Sequence, residues 1–271
     1  MQELLSHPAV QAGLAPFVVA LVVAELLQRL RLSGLAIIAG FAVMVYLASD
    51  FSMEPLTAVR KIVLLGLLAS ALALPLMLFD ARWLRLLLTA GAGVAALWVV
   101  SRTVQQQELG LMLLMGAGCA VYAAWLGYWF DGLRDDALRA GSAGAGLGFG
   151  SGGAALFGGS ALLGQFGIAL GAAAAAYLLI QMIAGMRLPC GRSFTLPLSL
   201  IAALSGGFAI LSSEMPWYVL PVLAAIPLAV KIPLPEKKPL WIQITLSSVI
   251  ALLCAAGAVY LTWHVTGAPP L

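Results

Sequence analysis

Three carboxylates in two similar segments are the side chains of this chain best suited to hold a cation or a proton. Asp50 and Glu54 belong to the segment SDFSMEP, and Glu214 belongs to SSEMP. Each segment leads into an apolar run that contains proline, so Glu54 and Glu214 hold matching positions. We expect a cation or proton entry site there. The alternative is that both acids are helix N-caps or first-turn acids, before Pro55 and Pro216 at the first helical position, where the helix dipole favours them without any function.

Few polar side chains fall inside the apolar runs, and each is a candidate because a polar group in a membrane is costly. Gln165 and Gln181 are amides that can bind a neutral substrate group or hydrogen-bond a neighbouring helix. Glu25 lies four residues before Arg29, a spacing that predicts an ion pair at a helix end.

No combination of residues in the sequence points to an enzyme. The two histidines, His7 and His264, lie at opposite extremes of the chain, and the three cysteines form no CxxC pair. The glycine-flanked serines lack a histidine at membrane depth, and no HExxH motif is present. We therefore expect no catalytic site, no protein-bound metal and no cofactor.

The composition predicts an all-α, polytopic transmembrane helical bundle. Apolar residues make up 62% of the 271 residues and charged residues only 9%, against roughly 25% charged in a soluble domain. The apolar runs do not alternate with polar residues as the strands of a membrane barrel do. The whole chain is therefore expected to be a single integral membrane domain, and its net charge of +3 reflects loop bias rather than a surface for nucleic acid.

We predict about ten spans joined by short loops. They cover residues 9–28, 32–48, 62–79, 83–100, 109–129, 140–158, 163–186, 195–212, 216–230 and 240–263. A turn near Gly158 joins the sixth and seventh. The ninth span has only 15 residues and three prolines, so a tilted, kinked or re-entrant segment is the alternative to a full crossing.

The basic residues predict which way each span crosses. Eleven of the fourteen Lys and Arg residues fall in loops that follow odd-numbered spans. Basic loops stay cytoplasmic, so both termini are expected outside. The 47-residue stretch 140–186 has no formal charge, and only two crossings within it preserve this asymmetry. The expected location is the inner membrane of a bacterium.

Glycine spacing predicts close helix packing in spans 6 and 7. Gly144, Gly148 and Gly152 are four residues apart, and Gly167 and Gly171 form a second pair. Small residues at this spacing let helix backbones approach in a membrane. A mobile or unwound element is the alternative, since glycine weakens a helix.

The two acidic segments also suggest a 4+2+4 pseudo-repeat of spans 1–4 and 7–10.

Two classes of function fit these features. The first is a transporter or permease-like protein for a neutral, apolar or lipid-like substrate, because core charges are nearly absent and repeats are common in carriers. The second is a non-catalytic accessory or scaffold subunit of a larger membrane complex. The expected partners are the lipid bilayer and, through spans 6 and 7, other membrane subunits or a second copy of the chain.

Overall fold

The computed structural model describes residues 7–49, 54–77, 79, 82–235 and 237–267. This part of the chain is helical and contains no strand, so the all-α fold class is confirmed. The helices are α1 Ala15–Leu27, α2 Ala36–Ser49, α3 Ala58–Leu76, α4 Arg82–Val104, α5 Leu109–Asp131, α6 Ala137–Phe157, α7 Ala161–Ala184, α8 Gly191–Ser212, α9 Val219–Ala229 and α10 Leu240–Thr266. A π-helical turn, Val10–Leu14, leads into α1, and a 3₁₀ turn, Ser33–Leu35, leads into α2.

The uncharged stretch 140–186 holds two helices, as the sequence predicted. Helix α6 ends at Phe157, and Gly158 and Gly159 form the turn before α7. Gly159 has a φ of 89°, in the left-handed region that favours glycine. The turn lies where the sequence predicted it. Glycine adopts this conformation without a steric cost, and that is why the turn forms here.

Seven helices in the described residues are long and apolar enough to cross a membrane. They include neither α2 nor α9, which are shorter, nor α6, whose seven glycines lower its hydropathy. Helix α9 has 11 residues and rises only about 16 Å, against about 30 Å of hydrocarbon in a bilayer. The ten predicted segments therefore all contain helices, and seven have the length and composition of a membrane span.

Helices α7 and α8 form the centre of the bundle. Their most apolar windows are 72% and 78% buried, whereas the corresponding windows of α5 and α10 are each 28% buried. Helix α7 packs against α1, α2 and α6, and α8 packs against α3, α4 and α5. The peripheral helices leave leucine, valine and aromatic side chains exposed, as a lipid-facing surface requires.

Contacts between loops gather the helix ends into two groups. The Ser33 hydroxyl, after α1, donates to the carbonyl of Pro189, after α7, at 2.8 Å. The Glu214 backbone N–H, after α8, donates to the carbonyl of Gly158, after α6, at 2.9 Å. We call the end formed by the loops after α1, α3, α5, α7 and α9 the basic end, and the other the opposite end.

A buried ion pair joins three helix ends at the basic end. Arg192, at the start of α8, donates from Nε to Asp131 Oδ1 at 2.9 Å, and both side chains are under 8% exposed. Its Nη1 donates at 2.9 Å to the carbonyl of Leu76, the last residue of α3, and at 2.6 Å to the carbonyl of Phe79, just after α3. Arg134 adds a second contact to Asp131 at 3.3 Å. These bonds compensate much of the cost of burying the charges.

Candidate functional site

The structure exposes the carboxylates that the sequence singled out. Glu54 and Glu214 are exposed side chains at the opposite end. Glu25 is exposed at the basic end and accepts a hydrogen bond from the Gln28 amide at 2.6 Å, rather than from the predicted arginine. Asp50 lies outside the described residues. A cation or proton site formed by Asp50, Glu54 and Glu214 stays a prediction.

The first-turn interpretation of Glu54 and Glu214 is wrong. Helix α3 begins at Ala58, where the Thr57 hydroxyl accepts the cap hydrogen bond at 3.4 Å. Helix α9 begins at Val219, after a turn. Each acid lies several residues before its helix, beyond the first turn where a helix dipole acts.

The two predicted intramembrane amides have different surroundings. Gln165 is half-buried in the first turn of α7. Gln181 is fully buried near the other end of α7, and its Nε2 donates to the Tyr177 carbonyl at 3.4 Å. The Oε1 atom of Gln181 has no hydrogen-bond partner among the described residues. Both positions remain candidates for a polar contact.

Glycines close the contact between α6 and α7, where the sequence predicted close packing. A Cβ added at Gly148 would lie 2.6 Å from Cα of Gly171, and one at Gly152 would lie 2.6 Å from the Ile168 nitrogen. A Cβ at Gly167 would meet the backbone of Gly152. The two backbones touch here, so no larger residue fits without moving a helix.

Gly144 marks the junction of α6 with two other helices. A Cβ there would lie 2.6 Å from Leu198 Cδ1 of α8 and 3.2 Å from Ala174 Cβ of α7. The five glycines named from the sequence are therefore in contact with helices of the same chain. A partner helix would need another surface of this protein.

A second face of α6 packs against α10, which the sequence did not predict. A Cβ added at Gly146 would lie 2.8 Å from the Ala251 carbonyl oxygen, and one at Gly150 would lie 3.0 Å from Ala255 Cα. The order of these contacts shows that α6 and α10 run parallel. We call this contact the α6–α10 seam.

The seam opens into an apolar groove towards the opposite end. Its volume is about 430 Å³. It is lined by Phe149 and Phe157 of α6 and by Leu252, Ala255, Ala256, Val259, Tyr260 and Trp263 of α10. Several of these side chains are on the lipid-facing surface, so the groove is open to the surroundings of the bundle.

The seam opens again at the basic end, into a polar pocket of about 300 Å³. Its polar lining comes from the start of α6, the loop before α8, the loop after α9 and the start of α10, and Leu138, Pro233 and Leu234 complete it. The polar residues are Asp136, Arg139, Arg187, Lys231 and Gln243.

Hydrogen bonds position most of these polar groups. Arg187 Nη2 donates to Gln243 Oε1 at 3.2 Å, and Gln243 Nε2 donates to the Lys238 carbonyl at 2.8 Å. Asp136 caps α6 by accepting from the Arg139 backbone N–H at 3.3 Å. One arginine and one amide are thereby held at the start of α10, and Asp136, the one acid among the described lining residues, caps a helix.

Lys231 experiences an excess of positive charge. Its pKa is lowered from the usual 10.5, first by burial and then by Arg85 and Arg139. Its ammonium lies over the Trp129 ring, 4.2 Å from the ring centre, a favourable cation–π geometry. The aromatic ring supports the cation, while the arginines make the pocket a region of positive potential.

Sequence reasoning treated Arg139, Arg187 and Lys231 only as markers of sidedness. They are separated by more than forty residues along the chain, and only the folded helix ends bring them together. The available signal was that successive basic loops each supply a cation to the same side of the membrane.

Comparison with known proteins does not assign this chain to a family. No family model matches the chain, and no curated protein shows significant similarity to it. No three His, Cys, Asp or Glu residues in the described ranges are grouped so as to hold a metal ion.

Proposed function

We propose that this protein is a membrane carrier, of the permease type, for a lipid-like molecule with at least one apolar chain. The observation that carries the proposal is the apolar groove of about 430 Å³ beside the α6–α10 seam. Phe149, Tyr260 and Trp263 line it together with the small side chains of Ala255 and Ala256. Two alanines bordered by aromatic rings leave room for an alkyl chain, and the groove presents few polar groups to it.

The seam gives the groove a gate. The close contacts at Gly146–Ala251 and Gly150–Ala255 lie between the polar pocket and most of the groove. An amphiphile that moved from one end of the seam to the other would therefore have to separate α6 from α10. Alternating access requires such a contact that closes and opens.

The proposed setting is a bacterial inner membrane, with the basic end in the cytoplasm and both termini outside. The bias of basic residues supports this orientation. In this setting all ten helices belong to the membrane domain, with α9 as a partial crossing. The 4+2+4 pseudo-repeat and the cation or proton site at Glu54 and Glu214 stay predictions. We propose no enzymatic step.

The test is transport of a fluorescent short-chain phospholipid across proteoliposomes, read by quenching of the outer leaflet. Ala256→Phe fills the groove and should lower the rate to that of protein-free liposomes. Leu253→Phe is the matched control, because Leu253 is on the same helix, 67% exposed, and does not line the groove. Equal rates for the two variants would contradict the proposal, as would a wild-type rate equal to that of protein-free liposomes.

A second candidate function, an accessory subunit of a membrane complex, is favoured by the exposed face of α5. A Cβ added at Gly110 or Gly118 would have no neighbour within 4 Å, unlike the glycines of α6. Leu114 and Val121 beside them are 71% and 67% exposed. Small residues on a lipid-facing helix let a foreign helix approach closely.

Purification in mild detergent separates the two candidates. Stoichiometric foreign subunits that are lost when Gly118 is replaced by Phe would support the accessory function. A preparation that contains only this chain, in any number of copies, and that transports lipid would support the carrier.

A further inference from the structure

We propose that the polar pocket at the basic end is a binding site for a phosphate group, carried by a lipid headgroup or by a soluble phosphate. The site uses Arg139, Arg187, Lys231 and Gln243, none of which lines the apolar groove. It stands apart from the carrier function, because a phosphate can bind there whether or not the protein moves lipid.

The charge of the pocket selects an anion. Arg139, Arg187 and Lys231 contribute three positive charges, and among the described residues Asp136 is the one acid that lines the same space. Asp136 also contacts Arg139 Nε through Oδ2 at 3.5 Å, so Arg187 and Lys231 have no carboxylate opposite them among the described lining residues. Like charges held near one another in a partly buried site raise the local affinity for an anion.

An unsatisfied donor points to the same conclusion. Arg139 Nε is buried and has no hydrogen-bond partner among the described residues, since its contact with Asp136 lacks hydrogen-bond geometry. A buried guanidinium donor without a partner costs free energy that an anionic oxygen would recover. Burial is the first cause of the lowered pKa of Lys231, and the positive charges of Arg85 and Arg139 lower it further.

The arrangement of donors favours phosphate over a simpler anion. Two guanidinium groups and one ammonium enter the pocket from three different segments. A phosphate has oxygens in several directions and can accept from all three, and arginine binds it through paired N–H donors. The volume of about 300 Å³ exceeds that of a bare phosphate and leaves room for an ester group. Basic pockets between helix ends lie at the depth of phospholipid headgroups.

The test measures binding to the full-length protein in detergent. Dioctanoyl phosphatidic acid should bind more tightly than dioctanoylglycerol, which has the same chains and no phosphate. Arg187→Gln and Lys231→Gln should each weaken phosphatidic acid binding about tenfold, the usual loss for one charged hydrogen bond. Arg29→Gln is the matched control, because Arg29 is an exposed cation of the same end outside the pocket.

Competition identifies the source of the phosphate. Displacement of phosphatidic acid by inorganic phosphate would support a site for soluble phosphates, and tight phosphatidic acid binding without displacement would support a lipid headgroup. Equal binding of phosphatidic acid and dioctanoylglycerol would overturn the proposal. An equal loss of phosphatidic acid binding in Arg29→Gln would also overturn it, because the effect would then come from general surface charge and not from the pocket. Thermal unfolding of each variant verifies that it folds. Binding is measured in detergent without any transport step, so its result does not depend on the carrier function.

Discussion

Helix α6 meets α7 and α10 with glycines on both faces, yet the two contacts differ. Against α7, glycines face glycines, and the backbones of Gly148 and Gly152 touch those of Gly171 and Gly167. Against α10, the glycines face alanines and Val259, and the contact gives way to a pocket at one end and a groove at the other. Glycines on both partners produce a closed interface, whereas glycines on only one partner leave space at the ends of the contact.

This difference distinguishes an interface that only holds two helices together from an interface that is proposed to open during transport. Backbone contact between Gly148, Gly152, Gly167 and Gly171 leaves no side chains that can rearrange there. The α6–α7 contact is therefore expected to hold in every state of the protein. In the α6–α10 seam, the atoms that meet the glycines include the side chains of Ala251, Ala255 and Val259. Side chains can rearrange more easily than backbone atoms, and a carrier needs an interface that opens.

The largest expected effect is on the α6–α7 contact. Gly152→Ala should lower the free energy of unfolding by about 1–3 kcal/mol, because its Cβ would collide with the Ile168 backbone. Unfolding in mixed detergent micelles measures the loss. No substitution at position 168 should restore stability, since the obstructing atom is a backbone nitrogen. Gly118→Ala is the control and should be neutral or stabilising by up to about 1 kcal/mol, because its Cβ meets open space.

A smaller loss, with rescue, is expected on the other face of α6. Gly153→Ala places a Cβ 2.7 Å from Cγ2 of Val259, a side-chain atom. The double variant Gly153→Ala with Val259→Ala should therefore regain most of the lost stability in the same unfolding assay. Absence of rescue would mean that the α6–α10 seam is as closed as the α6–α7 contact, and the comparison would fail.

The smallest expected effect is a pH dependence at the basic end of the seam. Lys231 has a lowered pKa, and the charged groups around it are Arg85, Arg139, Arg187 and Asp136. Between this lowered pKa and the usual 10.5, the unfolded chain holds a proton that the folded chain has lost, so stability should rise with pH across that window. In Lys231→Met this part of the rise should vanish from the profile of melting temperature against pH. Identical profiles would refute the proposed environment of Lys231.

Hydrophobic length and charge made most of the helices predictable. Each apolar run of sufficient length contains a helix, and the uncharged stretch 140–186 contains two because one helix cannot use 47 residues in a single crossing. Helix α9 is shorter than its apolar run, since the segment begins with a turn at Pro216 and contains two further prolines. Spacing by four residues also predicted that Gly148, Gly152, Gly167 and Gly171 lie in close helix contacts, although it did not predict that the two sets meet each other.

The candidate sites were less predictable, for a physical reason. The phosphate pocket depends on side chains from four separate segments, and single-sequence patterns report on neighbours along one helix. Gly146 and Gly150 alternate with Gly144 and Gly148, a spacing that sequence reasoning treated as a weakness of the helix. It instead provides a second packing face, which is apparent only when α10 lies against it.

The most direct test of the account is reversible crosslinking of α6 to each neighbour at the same depth. Ser142 and Ser248 lie 3.2 Å apart between their hydroxyl oxygens across the seam. A Cβ at Gly144 would lie 3.2 Å from Ala174 Cβ across the α6–α7 contact. Cysteine pairs replace Ser142 and Ser248 in one variant and Gly144 and Ala174 in the other, and Cys254→Ser prevents mispairing.

Lipid transport is then measured in proteoliposomes before oxidation, after oxidation and after reduction. We predict that the Ser142→Cys, Ser248→Cys disulfide stops transport and that a reductant restores it. The Gly144→Cys, Ala174→Cys disulfide should leave the rate unchanged, because that interface does not open. Undiminished transport with the α6–α10 disulfide in place would contradict the central claim.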